Sequence, residues 1–343
     1  MRRLDRWKKT LLLALAVASC EWMGAQTATI LPAPVEMTMQ EGYFRLADGM
    51  TICAEKDELY PVADYFAEAM KEMSGVTLKQ VDTDGKKADI RLKISKDLSP
   101  EAYRLTVDAD GVSVEAGGPA GAFYALQSVR LAIQPQDKTG IPRMYVADRP
   151  RFGYRGLMVD VSRYFVEKEE LMKIIDCMSV LKLNKLHLHL TDDNGWRLEI
   201  KKYPRLTSVG AWRVNQTDRP FPDRRNPEPG EPTPIGGYYT QEDMKEIIRY
   251  AAGRCIEIIP EIDMPGHSNA ALAAYPELAC PSVDKHICVV PGMGQGSGNI
   301  IFCAGNEETF RFLEGVIDEV AELFPSHYIH LGGDEAWKEY WKK

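Results

Sequence analysis

The sequence predicts an α/β protein in which a small α/β domain precedes a (β/α)8 TIM-type barrel, with only about the first half of that barrel present. Three observations predict it. Strand-like and helix-like segments alternate after residue 148, the pattern of parallel βαβ units. Each strand-like segment there ends in polar residues and glycines, as strands do at the carboxyl face of a (β/α) barrel, where active sites sit. The composition is globular, with 45% hydrophobic and 27% charged residues, and 343 residues suffice for two domains.

The chain opens on five basic residues and one acid in Met1 to Lys9, then an apolar run, Leu11 to Ala18, too short to span a bilayer. This is the pattern of a secretory signal peptide over 1–25. Val17-Ala18-Ser19-Cys20 resembles a bacterial lipobox, which would make Cys20 a lipid-bearing terminus and a membrane tether; cleavage after Ala25 is the rival. The expected location is therefore the bacterial periplasm, or the outer membrane as a lipoprotein.

Residues 28–148 are expected to form the small domain. Thr51-Ile52-Cys53-Ala54 and Ile90-Arg91-Leu92-Lys93-Ile94 alternate as strands. Tyr60 to Met73 has helical spacing of apolar residues. Tyr103 to Val107 and Val112 to Glu115 flank Asp110-Gly111, a hairpin signal. Gly121 to Ile133 is an amphipathic helix, and Asp148-Arg149-Pro150 marks the boundary. The barrel, 149–343, begins with the apolar run Gly156 to Val161. A helix (Glu167 to Leu183) and a strand (Lys185 to Leu190) follow. Then come a helix (Glu242 to Ala252), a strand (Ile256 to Ile262), a helix (Glu307 to Leu323) and a strand (His327 to Gly332). A barrel needs eight strands in roughly 250 residues. Only 195 residues follow position 148, and insertions at about 203–240 and 275–305 use part of them. An incomplete barrel is expected, poorly folded or inactive by itself.

The formal net charge of -8 argues against nucleic acid or an anionic surface as the main partner, and leaves a neutral ligand such as a sugar. There are seven cysteines. An oxidising compartment permits disulfides, and Cys280, Cys288 and Cys303 crowd one loop region. Cys177 and Cys255 sit in periodic segments and are expected to be buried thiols. No C-x-x-C pair exists, so no structural zinc is expected. Gly292 to Gly298 lacks the Lys-Ser/Thr ending of a phosphate cradle and is taken as a surface loop.

The chemistry gathers at strand ends. His330-Leu331-Gly332-Gly333-Asp334-Glu335 places two adjacent acids after two glycines. Carboxylates this close drive their pKa values apart, so one can stay protonated while the other stays charged. The plain alternative is a helix start decorated with acids. Other strand ends weigh against it. Thr191-Asp192-Asp193-Asn194-Gly195-Trp196-Arg197 follows the second strand, and Glu261-Ile262-Asp263-Met264-Pro265-Gly266-His267 follows the third. Arg155 opens the first, with Asp160 and Arg163 at its other end. Acids and arginine can bracket sugar hydroxyls, tryptophan can cover a ring face, and His267 can hold or relay a proton.

These motifs, in order, resemble family 20 of the glycoside hydrolases, the β-N-acetylhexosaminidases. Arg155 to Phe165 is similar to the family's opening barrel strand, Leu186 to Arg197 to its second, Asp263 to His267 to its third and His330 to Glu335 to its catalytic fourth. Residues 28–148 are similar to the small domain that precedes the barrel. The resemblance implies exo-hydrolysis of terminal β-linked N-acetylglucosamine or N-acetylgalactosamine from a glycan or chito-oligosaccharide, without metal or cofactor. Glu335 would be the general acid and Asp334 would orient the acetamido group. Arg155 and Trp196 would bind sugar. Asp192 and His267 would form a supporting chain to Glu335, steadied by Asp263. The aromatic walls of the acetamido pocket come from the second half of the family's barrel.

A physical argument supports the implied mechanism. Most retaining glycosidases set two carboxylates about 5 Å apart across the scissile bond. Adjacent residues at one strand end approach from the same side, so a nucleophile supplied by the substrate, its own acetamido oxygen, solves the geometry. Two rivals stand beside this reading. A metal-dependent hydrolase could use His187 and His189 with Asp192, His267 and Asp334, although both histidines precede the strand end and suit an inner packing layer better. A non-catalytic carbohydrate-binding fragment would use Arg155, Asp192 and Trp196 without turnover.

Overall fold

The computed structural model describes residues 28–81, 87–293 and 300–342. The expected signal segment, with Cys20, and most of the glycine-rich stretch lie outside the described residues. The chain divides into two compact units, 1–151 and 152–343.

Among the described residues the first unit is a seven-stranded mixed sheet with two α-helices. Its strands are β1 (Glu36–Arg45), β2 (Thr51–Ala54), β3 (Lys79–Val81), β4 (Ile90–Ile94), β5 (Tyr103–Val107), β6 (Val112–Ala116) and β7 (Gly140–Asp148). They run in the order β1-β7-β5-β6-β4-β2-β3. The alternation that predicts β4, β5 and β6 is the alternation of their burial, with Ile90, Leu92, Leu105, Val112 and Val114 turned into the core. The hairpin closes with Val107 opposite Val112, and the Asp108 carboxylate accepts from the amides of Asp110 and Gly111. Helix α1 (Tyr60–Ser74) buries Val62, Ala63, Phe66, Ala69 and Met70, one stripe at helical spacing. It ends at Gly75, whose φ of 77° is the left-handed cap glycine adopts readily. Helix α2 (Pro119–Ala132) is buried along most of its length. The sequence pattern misses β1 and β7, which pair with each other across a register shift between Met39 and Tyr43.

The second unit carries the site. Strands β8 (Gly156–Asp160), β9 (Lys185–His189) and β14 (Glu257–Glu261) form a parallel sheet in the order β14-β9-β8. Between them, helix α3 (Lys168–Val180) links β8 to β9, and α5 (Gln241–Ala252) leads into β14. Thr240 starts α5 with a reciprocal cap: its side chain accepts from the Asp243 amide, and the Asp243 carboxylate accepts from the Thr240 amide. Leu186, Leu188, Ile258, Leu171, Ile175 and Ile247 share one core. Strand β8 leaves an edge on which Leu157 and Met158 are 41% and 54% exposed. The expected strand His327 to Gly332 is reduced to one parallel bridge between Glu261 and His330. Its glycines turn it out of the sheet: Gly332 and Gly333 have φ of 63° and 96°.

The two insertions are ordered by their own contacts. The first holds the short α4 (Arg205–Ser208) and a two-residue pairing of β12 (Trp212–Arg213) with β13 (Ile235–Gly236). The small pair β10 (Thr191–Asp192) and β11 (Gly195–Trp196) precedes it. The second follows α6 (Asn269–Ala274) and is closed by a disulfide between Cys280 and Cys303, beside a bridge between Ala279 and Phe302. Helix α7 (Glu307–Leu323) comes next. Cys177, expected to be buried, is exposed on α3, because its position faces away from the stripe formed by Leu171, Ile175 and Met178.

Candidate active site

The parallel register sets one row of titratable groups across the sheet. Asp160 lies level with His189, His189 with Glu261, and Glu261 with His330. The last residues of successive parallel strands are neighbours, so their side chains meet at the carboxyl end.

Glu261 is the inner anchor. One of its oxygens is 2.6 Å from His187 Nε2 and 2.8 Å from His189 Nδ1; the other is 3.1 Å from His330 Nδ1. Burial would raise its pKa, but these imidazoles outweigh burial and hold it well below the usual range. The other ring nitrogen of His189 lies 2.6 Å from Asp192 Oδ2. Burial would lower the His189 pKa, and its two carboxylate partners reverse this, to about 10. The histidine pair therefore sits between carboxylates, as an inner packing layer does. His187, Glu261 and His330 also lie within the mutual distances a metal site needs.

Asp192 is the hub. It is 2% exposed. Beyond His189 it meets Arg163 Nη2 at 2.8 Å and His267 Nδ1 at 3.2 Å. Burial pushes its pKa up, yet His189 and His267 outweigh burial and hold it at about 2. Hydrogen bonds to Asp192 and Asp193 lift His267 to about 11. The far ring nitrogen of His267 is 3.3 Å from Asp334 Oδ2 and 3.5 Å from Glu335 Oε2, ion-pair distances without a formed hydrogen bond. A continuous polar chain thus runs from Asp192 through His267 to the paired acids, whose side chains are 64% and 68% exposed.

Backbone conformation aims those acids. Glu335 has φ of 43° and His267 φ of 48°, left-handed values that are rare without glycine and that gather at functional turns. Gly332 is required: a Cβ there would stand 1.8 Å from Asp263 Oδ1. Asp263 accepts from the Gly333 amide at 3.1 Å, and its other oxygen is buried without a partner. Burial, with the nearby Asp334 charge, raises its pKa to about 7 despite that amide.

Two expected sugar-binding residues lie elsewhere. Arg155 precedes β8 at its amino end, the opposite end from Asp160, roughly 16 Å away at about 3.3 Å per residue. Its Nε donates to Lys182 O and its Nη1 to Phe152 O, both at 2.8 Å. A strand carries chemistry at its carboxyl end, so the guanidinium at the site is that of Arg163, held by Asp160 at 2.9 Å and by Asp192. Its signal was present in Asp160-Val161-Ser162-Arg163, where the Asp160 carboxylate accepts from the amides of Ser162 and Arg163 and turns the chain inward. Trp196 is 2% exposed in the core, donating from Nε1 to Leu198 O at 2.7 Å, and cannot cover a sugar.

Paired acids, a histidine and an arginine thus gather at the carboxyl end of a parallel sheet, in the unit that follows the small α/β unit along the chain. Residues 152–343 match glycosyl hydrolase family 20, catalytic domain, and residues 27–149 match domain 2 of the same family. The chain belongs to glycosyl hydrolase family 20. It is 39% identical over 324 residues to a beta-hexosaminidase of Porphyromonas gingivalis, covering 91% of this chain and 39% of that protein. It is 41% identical over 252 residues to a beta-hexosaminidase of Akkermansia muciniphila, covering 72% of this chain and 47% of that one. The chain thus spans less than half the length of these two relatives. Among solved structures, Streptomyces plicatus N-acetyl-beta-hexosaminidase matches with a TM-score of 0.76 at 36% identity, over 90% of this chain and 59% of that one. An exo beta-N-acetylglucosaminidase of Vibrio harveyi, in complex with N-acetylglucosamine, matches with a TM-score of 0.78 at 30% identity, over 92% and 49%. These neighbours carry the small domain and barrel-type catalytic domain to this chain.

Proposed function

We propose that the protein serves the exo-hydrolysis of terminal β-linked N-acetylglucosamine or N-acetylgalactosamine from glycans, with retention and with the substrate's acetamido oxygen as nucleophile. The carrying observation is the chain from Asp192 through His267 to the adjacent Asp334 and Glu335. Glu335 protonates the leaving oxygen. Asp334 orients the acetamido N–H as the carbonyl oxygen closes on the anomeric carbon and the glycosidic bond breaks. Water then opens the oxazolinium ion with Glu335 as base. His267, charged by its two aspartates, steadies both acids. Arg163 takes the sugar-hydroxyl role expected of Arg155. The parallel strands are the first strands of a closed (β/α)8 barrel, for which the exposed apolar edge of β8 and the unfilled edge at His330 are the support. Export to the periplasm, or lipidation at Cys20, belongs to the same proposal and rests on the basic start and apolar run of the chain.

The test is hydrolysis of a chromogenic β-N-acetylglucosaminide by the protein and by Glu335→Gln. The substitution is expected to cost on the order of 10²–10⁴ in kcat, the usual worth of a general acid. Turnover indifferent to Glu335 would sink the assignment of the acid. Saturable binding of N-acetylglucosamine without any turnover would leave a carbohydrate-binding module instead.

A further inference from the structure

Strand β9 has two unlike faces. Leu186 and Leu188 pack in the apolar core, while His187 and His189 alternate with them and turn to the other face. That second face buries charge: His189, Asp192 and Glu261 are 6%, 2% and 5% exposed. Buried ion pairs add little to stability over apolar side chains of similar volume. Holding the sheet together therefore does not account for this row, and its hydrogen bonds show what it orders.

His189 stands between two carboxylates, with Nδ1 2.8 Å from Glu261 Oε2 and Nε2 2.6 Å from Asp192 Oδ2. An ionised carboxylate only accepts, so each contact needs a ring proton, and only the imidazolium carries both. Arg163 Nη1 lies 3.1 Å from the same Nε2, farther than the Asp192 oxygen that holds the proton there. Asp263, in the turn after β14, acts on His189 through charge alone. Glu261 is held from its far side by His187 Nε2 at 2.6 Å and faces His330 Nδ1 at 3.1 Å. Asp192 divides its oxygens. Oδ2 takes His189 and, at 2.8 Å, Arg163 Nη2. Oδ1 takes the Asp193 amide at 2.7 Å and His267 Nδ1 at 3.2 Å. With Oδ2 pinned, Oδ1 is left to His267, whose Nε2 then faces Asp334 and Glu335.

We propose that Glu261 and His189 are positioning residues for the hydrolysis: they fix the Asp192 carboxylate, which in turn fixes the His267 ring against the paired acids. This rests on the function proposed above. Glu261 accepts the Nδ1 proton of His189, and the Nε2 proton stays on the Asp192 side. Burial opposes the second proton, and the two carboxylates override burial and hold the His189 pKa at about 10. Without the Glu261 charge, His189 keeps one proton that either nitrogen can carry. With that proton on Nδ1, lone pairs of Nε2 and Asp192 Oδ2 face each other, and Asp192 turns away from His267.

The experiment is a double-mutant cycle on kcat, with a chromogenic β-N-acetylglucosaminide as substrate. Glu261→Gln is expected to lower kcat about 10- to 100-fold, the scale of one hydrogen bond to a charged group, with KM changed less than about threefold. In an Asp192→Asn background the same substitution is expected to cost less than about threefold, because its route to the acids is already cut. Equal factors in the two backgrounds overturn the proposal, since a loss of stability alone acts without regard to Asp192. Urea midpoints on all four proteins separate that loss from the effect on kcat. Glu261→Asp, run through the same cycle, covers the case in which Glu261→Gln fails to fold. A second readout needs no turnover. In wild-type protein carrying nitrogen-15 histidine, His189 (assigned by its loss in His189→Gln) is expected to hold protons on both ring nitrogens at about pH 8. A neutral His189 at that pH overturns this proposal alone, whereas absence of any hydrolysis by the wild type would end the hydrolase proposal.

Discussion

Arg155 and Arg163 bracket the same strand and differ in what strand direction does to them. Both are arginines beside apolar runs, so residue type alone does not separate them. The end of the strand on which each sits does. Arg163→Met is expected to raise KM for the chromogenic substrate about 10- to 100-fold, the worth of a hydrogen bond to a charged group. Arg155→Met is expected to change it far less, because its donors are spent on Lys182 and Phe152. Steady-state kinetics on the two variants decides, and equal effects would return the sugar to Arg155. The acids, His267 and Asp192 were legible because they fall at strand ends in Asp/Gly-rich turns. Trp196 was misleading for a related reason: β11 turns it inward, which the periodicity of a two-residue strand cannot reveal.

At the scale of the element, the loop after His330 depends on a glycine more than on a strand. Gly332 combines φ of 63° with a would-be Cβ 1.8 Å from a carboxylate oxygen of Asp263. Gly332→Ala is expected to lower stability by roughly 1–3 kcal/mol from backbone strain alone. It should also displace Asp334 and Glu335, lowering kcat while the urea midpoint falls modestly. A variant with wild-type kcat would show that the turn does not aim the acids. The parallel strands β8, β9 and β14 were readable as apolar runs bounded by polar ends, and α1, α5 and α7 from their spacing. β1 and β7 were not, since β7 carries Pro142 and Arg143 and β1, one of its two partners, lies more than ninety residues away in sequence. Nothing local encodes such a pairing.

For the whole molecule, the site makes stability depend on pH in two opposed ways. Asp192 is held at about 2, below its usual 3.8, so its contribution is present above about pH 4 and lost as pH falls through 2. Asp263 is raised to about 7, so its contribution is present below about pH 4 and lost as pH rises through 7. Thermal midpoints between pH 5 and 8 are expected to decline in the wild type and to decline less in Asp263→Asn, a difference of a few kcal/mol at about 1.4 kcal/mol per unit. Parallel profiles would show that Asp263 does not titrate there. Hydrolysis is expected to survive chelation, because His187 and His330 are already engaged by Glu261; loss of activity with a chelator and its return with zinc would favour a metal held by His187, Glu261 and His330. The two-unit organisation was legible from the change in pattern near residue 148, whereas the order of the seven-stranded sheet was not. The Cys280–Cys303 bridge has a practical consequence for how the protein is made. It brackets the segment in which the Phe302 amide donates to Pro265 O, beside the turn that carries His267. Production in a reducing cytoplasm leaves that bracket open, so preparations made there and in an oxidising compartment should be treated as two different reagents until thiol alkylation shows them to be one.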